Sequence, residues 1–172
     1  MRLVISALAL AVMTAPARAD VVDKGPSGFT AKTTVTINAS PQRAYDAFLR
    51  VGEWWDPAHT WSGSGQNLRI EPRTDGCFCE TLPNGGSVRH ASVVFVDPGK
   101  LVRLSGALGP LQAMAVTGSL TWTFEPSGTG TTATVTYAVS GYAAGGLEPL
   151  AAPVDAVIGG QLRRLKASVE RQ

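Results

Sequence analysis

The stretch from Ile37 to Trp61, INASPQRAYDAFLRVGEWWDPAHTW, limits what this chain can fold into more than any other. Ser40 is a good N-cap and Pro41 suits the first helical position, so a helix starts here. Ala44, Tyr45, Phe48, Leu49 and, one turn on, Val51 make a narrow apolar face, enough to pack on one sheet. Gly52 marks its end. Trp54, Trp55 and Trp61 follow within eight positions, around an Asp56-Pro57 turn. Aromatics at that density either line a pocket or wedge a helix onto a sheet, and burial rules allow both for each tryptophan.

The flanking sequence supplies the sheet. Residues 29–38 alternate, with Phe29, Ala31, Thr33, Val35 and Ile37 on one face and threonines and Lys32 on the other, as in a half-buried strand. Residues 68–71 make a short edge strand. Residues 77–82 and 87–96 flank Pro83-Asn84-Gly85-Gly86, a strong hairpin signal, and Asp97-Pro98-Gly99-Lys100 turns the chain into a strand over 101–108. Residues 109–115 lack a period and form a loop over one end of the sheet. Residues 117–125 and 131–142 alternate again, with Trp122 and Phe124 on one face of the first and Ala133, Val135, Tyr137 and Val139 on one face of the second.

A last element, 148–170, carries Leu150, Val154, Val157, Ile158, Leu162, Leu165 and Val169 as a helical stripe. Gly159-Gly160 interrupts it at about 1 kcal/mol per glycine relative to alanine. Two readings stand side by side: close packing on the sheet, or space for a ligand beneath the helix. The order of one strand, two short helical pieces, about six antiparallel strands and a long helix is an α+β arrangement, a curved antiparallel sheet wrapped around its C-terminal helix.

Residues 1–19 have the form of a secretory signal: Arg2, an apolar run from Leu3 to Met13, and Ala17-Arg18-Ala19 as a cleavage site before Asp20. That run is too short for the ~30 Å hydrocarbon core, which takes about 20 residues, so no membrane span is expected. Cleavage removes Arg2 and Arg18, taking the fifteen basic residues to thirteen, equal to the acidic ones. A formally neutral mature chain excludes a basic footprint for nucleic acid and favours neutral partners. Residues 20–28 are expected to be a flexible lead-in, and residues 29–172 a single domain.

The most specific local constellation is Cys77-x-Cys79 followed by His90. If Asn84-Gly85 makes a two-residue turn, Cys79 faces His90, Cys77 faces Ser92 and Glu80 faces Arg89 as a cross-strand ion pair. Two thiolates and an imidazole supply three ligands of a zinc or copper(I) site. A fourth is not evident, and two small buried hydrophobes beside a hydrogen-bonded histidine are favoured. A Cys77–Cys79 disulfide is disfavoured, because side chains at i and i+2 of a strand lie roughly 7 Å apart against the ~3.8 Å between Cβ atoms that the bond needs; only a buckled strand in an oxidising compartment admits it. His59 is expected to be a solvated loop histidine. No G-x-S-x-G, H-E-x-x-H or P-loop motif is present, and nothing calls for a cofactor.

Taken in order, the strand ending in N-A-S-P, the short helix, the W-W-D-P turn, EPRTDGCFCE at 71–80, VDPGKLVRLSGALGPL at 96–111, the strand pair around Trp122 and Tyr137 and the long C-terminal helix resemble the Bet v 1/START (SRPBCC) superfamily. The resemblance is to its polyketide-cyclase and heat-shock-ATPase-activator-homologue branch and covers about residues 29–170. It implies a helix-grip fold with a cavity between sheet and helix, and carries over no catalytic residue. With the neutral chain, it suggests an exported, periplasmic protein holding a small, mainly apolar, lipid-like ligand. Trp54, Trp55, Trp61, Leu111, Met114, Trp122, Phe124, Tyr137 and Tyr142 are the candidate lining. The alternatives are a cyclase, hydratase or isomerase using His90 as general acid-base, and a partner-binding module.

Overall fold

The computed structural model describes residues 18–171. The expected leader therefore falls outside the described residues, apart from Arg18 and Ala19. Eight strands form one antiparallel sheet: β1 (Arg18–Gly25), β2 (Gly28–Ile37), β3 (Leu68–Ile70), β4 (Cys77–Thr81), β5 (Ser87–Asp97), β6 (Leu101–Ser105), β7 (Ala115–Ser127) and β8 (Gly130–Tyr142). Their order across the sheet is β1-β2-β8-β7-β6-β5-β4-β3. Helix α1 (Pro41–Leu49) and three single 3₁₀ turns link β2 to β3, and helix α2 (Ala151–Arg171) closes the chain.

One difference from expectation lies at the N-terminal edge. Residues 20–28 are not a flexible lead-in, because β1 pairs with β2 from Arg18↔Thr34 to Gly25↔Gly28. Val22, Asp23 and Lys24 are exposed, so this part of the strand is held by backbone hydrogen bonds to a neighbour and leaves little apolar alternation in the sequence.

Helix α1 begins as its sequence dictates, with the Ser40 hydroxyl accepting from the Arg43 N–H and Pro41 in the first turn. It ends at Leu49, before Gly52. Gly52 serves another purpose: a side chain there would meet the Gly65 carbonyl at 3.0 Å, so the glycine lets two backbone segments touch. Ala44, Tyr45, Ala47 and Phe48 are buried. The Phe48 ring lies 5.1 Å from Trp122 and 5.7 Å from Phe124, and Trp54 lies 5.7 Å from Trp122. The Trp54 indole N–H is satisfied by the Ala47 carbonyl at 3.0 Å. This aromatic wedge fills one end of the space enclosed by the sheet.

Helix α2 packs across β2, β8 and α1. Its C-terminal half buries Leu162, Leu165 and Val169. Polar side chains on the same helix fasten the preceding segments: buried Gln161 accepts from the Asp56 N–H at 2.9 Å, Arg164 donates to the Trp54 carbonyl at 2.9 Å, and Lys166 donates to the Thr36 carbonyl at 2.7 Å. The W-W-D-P turn is thus clamped to α2.

The two glycines of α2 part company. Gly159 is buried, whereas a Cβ at Gly160 would meet nothing within 4 Å. Gly160 borders a shallow outer groove with Asp56, His59 and Arg164, so it makes no room for a ligand beneath the helix. Gly160→Ala is therefore expected to stabilise the protein by about 0.5–1 kcal/mol, raising helix propensity at no steric cost. Thermal unfolding of the two proteins checks this, and a lowered midpoint would show that the position is not free.

Candidate functional site

The other half of the enclosed space is empty. A cavity of about 460 Å³ lies between the sheet, the 3₁₀ turn Gly109–Ala113 and the N-terminal half of α2. Val154, Val157 and Ile158 of α2, with Leu150 in the turn just before it, form its roof, and Trp55, Phe78, Leu111 and Tyr137 form walls and floor. Trp61 and Met114 line it too, and their exposure places them at the rim.

Of the nine candidate lining residues, the structure brings Trp55, Trp61, Leu111, Met114 and Tyr137 to the cavity. It does not bring Trp54, Trp122 or Phe124, which are fully packed in the aromatic wedge, nor Tyr142, which is 74% exposed at the end of β8. The wedge and the cavity share one sheet face: Trp122 and Phe124 stand opposite Val135 and Ala133 of β8, while Tyr137, one step further along β8, stands at the cavity. Phe78, Leu108 and the apolar side chains of α2 before Gly159 complete a lining that residue type alone could not single out. His59 is exposed on its 3₁₀ turn at the rim, as expected of a loop histidine.

The polar end of the cavity comes from the hairpin β4–β5, whose register departs from the expected one. The turn spans Pro83 to Gly85, closed by the Leu82 N–H donating to the Gly86 carbonyl at 2.9 Å and the Gly85 N–H donating to the Leu82 carbonyl at 3.1 Å, with Gly85 at φ +81°. Cys79 consequently pairs with Arg89 and Glu80 with Val88, while Cys77 keeps Ser92 and Phe78 keeps Ala91. His90 is the extra residue of the resulting β-bulge. The Glu80–Arg89 pair therefore does not form. His90 stacks near Phe78, with ring centroids 4.9 Å apart, and lines the cavity instead of standing beside the cysteines.

Cys77 and Cys79 flank Phe78 in the strand and so project to the opposite face. They form a disulfide, against expectation. Their Cα atoms are 5.4 Å apart, less than the roughly 6.6 Å of two regular strand steps, and the register shift of the β4–β5 ladder falls between Phe78 and Cys79. The candidate metal set Cys77, Cys79 and His90 is thus dismantled twice, by oxidation of the thiols and by the turning of His90. Among the described residues no group of three or more histidine, cysteine or acidic side chains is placed to hold a metal ion.

Behind His90 lies Glu80, with no exposed surface. Its Oε2 accepts from His90 Nε2 at 2.9 Å and from the Trp61 N–H at 3.1 Å, and its Oε1 accepts from the Ser62 N–H. Burial raises the Glu80 carboxyl, but hydrogen bonds from Ser62, Trp61 and His90 outweigh it and hold the group below the usual carboxylate range. Burial likewise pulls the His90 imidazole below its ordinary value, only partly offset by Glu80. Burial pushes the Tyr137 hydroxyl up to about 12, against the Leu108 N–H. That hydroxyl accepts from Leu108 N–H and donates to the Gly106 carbonyl, both at 3.0 Å.

A curved sheet gripping a long C-terminal helix, with an aromatic wedge at one end and a cavity at the other, defines the helix-grip, Bet v 1-like class of folds. The profile of the family described as polyketide cyclase / dehydrase and lipid transport matches residues 28–170, and the chain belongs to that family. Among solved structures, the Mll3558 protein from Rhizobium loti is similar, at 24% identity and a TM-score of 0.61 over 81% of this chain and 96% of its own. Ara h 8.0201 shares the fold at 13% identity and a TM-score of 0.60, covering 84% of this chain and 99% of its own. The di-domain ARO/CYC StfQ from the steffimycin biosynthetic pathway does so at 17% identity and a TM-score of 0.58, covering 85% of this chain and 52% of its own. No curated protein matches the sequence.

Proposed function

We propose that the protein binds a small, mainly apolar ligand in the cavity between sheet and α2, and carries it in the periplasm after removal of residues 1–19. The observation that carries the proposal is the cavity itself. Its volume of about 460 Å³ and its walls of Trp55, Phe78, Leu111, Val154 and Ile158 suit a compact apolar molecule. The family, whose description includes lipid transport, supports the same reading. Export is supported by the leader-like sequence alone.

Titration with a hydrophobic fluorescent dye tests the cavity. Val154→Trp places an indole in the roof and is expected to weaken dye binding at least about tenfold while leaving the fold intact, since the side chain enters empty space. Undiminished binding by the variant would move the ligand elsewhere. Native mass spectrometry of protein recovered from its own periplasm completes the test: a co-purifying apolar molecule and an N-terminus at Asp20 are expected, and a chain retaining Met1 in the membrane fraction would refute export. A cyclase or isomerase would use this same cavity with His90 as its base, so the chemistry of that histidine decides what the cavity accepts.

A further inference from the structure

Hydrogen-bonding capacity around the cavity is almost entirely spent. The Trp55 indole N–H donates to the His59 carbonyl at 3.1 Å. The Tyr137 hydroxyl both donates and accepts within the protein. The Trp61 and Ser62 N–H groups are taken by Glu80. Inside the rim, where His59 and Thr60 stand, what is left is one side of one ring. His90 is 7% exposed, its Nε2 is bonded to Glu80, and its Nδ1 has no partner among the described residues.

The character of that nitrogen follows from Glu80. A carboxylate held by two backbone N–H donors is an acceptor only, so His90 Nε2 must carry the proton between them. In a neutral imidazole with Nε2 protonated, Nδ1 is a lone-pair acceptor. Burial, which pulls His90 below its usual value, keeps the ring neutral at physiological pH. The carboxylate next to it also sets the sign of the local field. Among the described residues no lysine or arginine lines the cavity, so an anionic head group would meet Glu80 one hydrogen bond away with nothing to balance it. A cationic amine would leave its hydration shell for walls that are almost wholly apolar.

We propose that the cavity selects an apolar ligand bearing a neutral hydroxyl, of phenol or alcohol type, which donates its hydrogen bond to Nδ1 of His90. Glu80 is a positioning residue that fixes the tautomer. The inference rests on the cavity being a ligand site, as proposed above, and adds the chemistry of its polar end. Fatty carboxylates and simple hydrocarbons of the same size are the ligands it disfavours.

Four probes with one ring system separate the cases: 2-naphthol, 2-methoxynaphthalene, naphthalene and 2-naphthoate, each measured by calorimetry or dye displacement on the full mature chain. 2-Naphthol is expected to bind about tenfold more tightly than naphthalene, the worth of one buried hydrogen bond. 2-Methoxynaphthalene, with no donor, is expected to match naphthalene, and 2-naphthoate to bind most weakly. In His90→Phe, which keeps an aromatic ring but no acceptor, the preference for 2-naphthol should fall to within about twofold while naphthalene affinity holds. The methoxy comparison needs no substitution, so it stands even if His90→Phe does not fold. Equal binding of 2-methoxynaphthalene and 2-naphthol, or tightest binding of 2-naphthoate, would overturn the inference and leave the cavity as a ligand site. Binding of none of the four would overturn the ligand site and the inference together.

Discussion

Glu80→Ala is expected to lower stability by about 3–5 kcal/mol, the usual consequence of removing one member of a buried, hydrogen-bonded pair. The Trp61 and Ser62 N–H groups lose their acceptor, and His90, buried at 7% exposure, loses its orienting partner. Denaturant unfolding measures the loss, and a cost below about 1 kcal/mol would mean that water replaces the carboxylate. The same pair predicts the pH dependence. His90 titrates lower in the folded protein than in the unfolded chain, so as pH falls below about 6.5 the unfolded state takes up protons first and stability declines. Glu80 is also lowered on folding, so its contribution is present above about 4.3 and is lost as pH falls further, through its folded value. Both slopes have the same sign. His90→Phe should flatten the upper part of the decline, and an unchanged profile would assign it to other groups.

Trp122→Ala should cost about 3–5 kcal/mol through lost burial and the cavity left behind, because the indole is 1% exposed and touches both Phe48 and Trp54. Its effect on function should be small. The wedge lies outside the cavity lining, so dye affinity measured well below the variant's melting temperature should stay within about twofold of the parent. A loss of binding as large as that from Val154→Trp would show that wedge and cavity act as one unit.

The contrast between Trp122 and Tyr137 shows how far the sequence could be read. Alternation placed both on the inner face of their strands, and the strand-helix-strands-helix order was visible from Ser40-Pro41, the turn signals and the α2 stripe. Position along the sheet was not visible. Whether an inward aromatic meets α1 or empty space depends on where α1 stops, and that is a tertiary matter. His90 is the sharper case. Its orientation hangs on a single extra residue in β5, created by a three-residue turn at Pro83–Gly85 instead of the two-residue Asn84-Gly85 turn that the dipeptide suggests. One step of register turns a side chain to the other face. The i, i+2 disulfide falls at the same register shift, where the regular strand spacing that argued against it does not hold. Strand β1 left no trace because edge pairing through the backbone needs no apolar pattern.

The pairing of β2 with β8 also fixes a sequence of events in time. Residue 28 meets residue 140 and residue 37 meets residue 131, so the strand made near the start of synthesis waits for one made near the end, and α2, which covers both, comes later still. Until then the β3–β7 meander has an inner face with no roof and β2 has only β1 to pair with. The nascent chain is therefore held open through most of its synthesis, with contacts that are slow to close and surfaces that stick. A chain whose domain closes only when its last helix is made leaves that inner face uncovered for most of its synthesis.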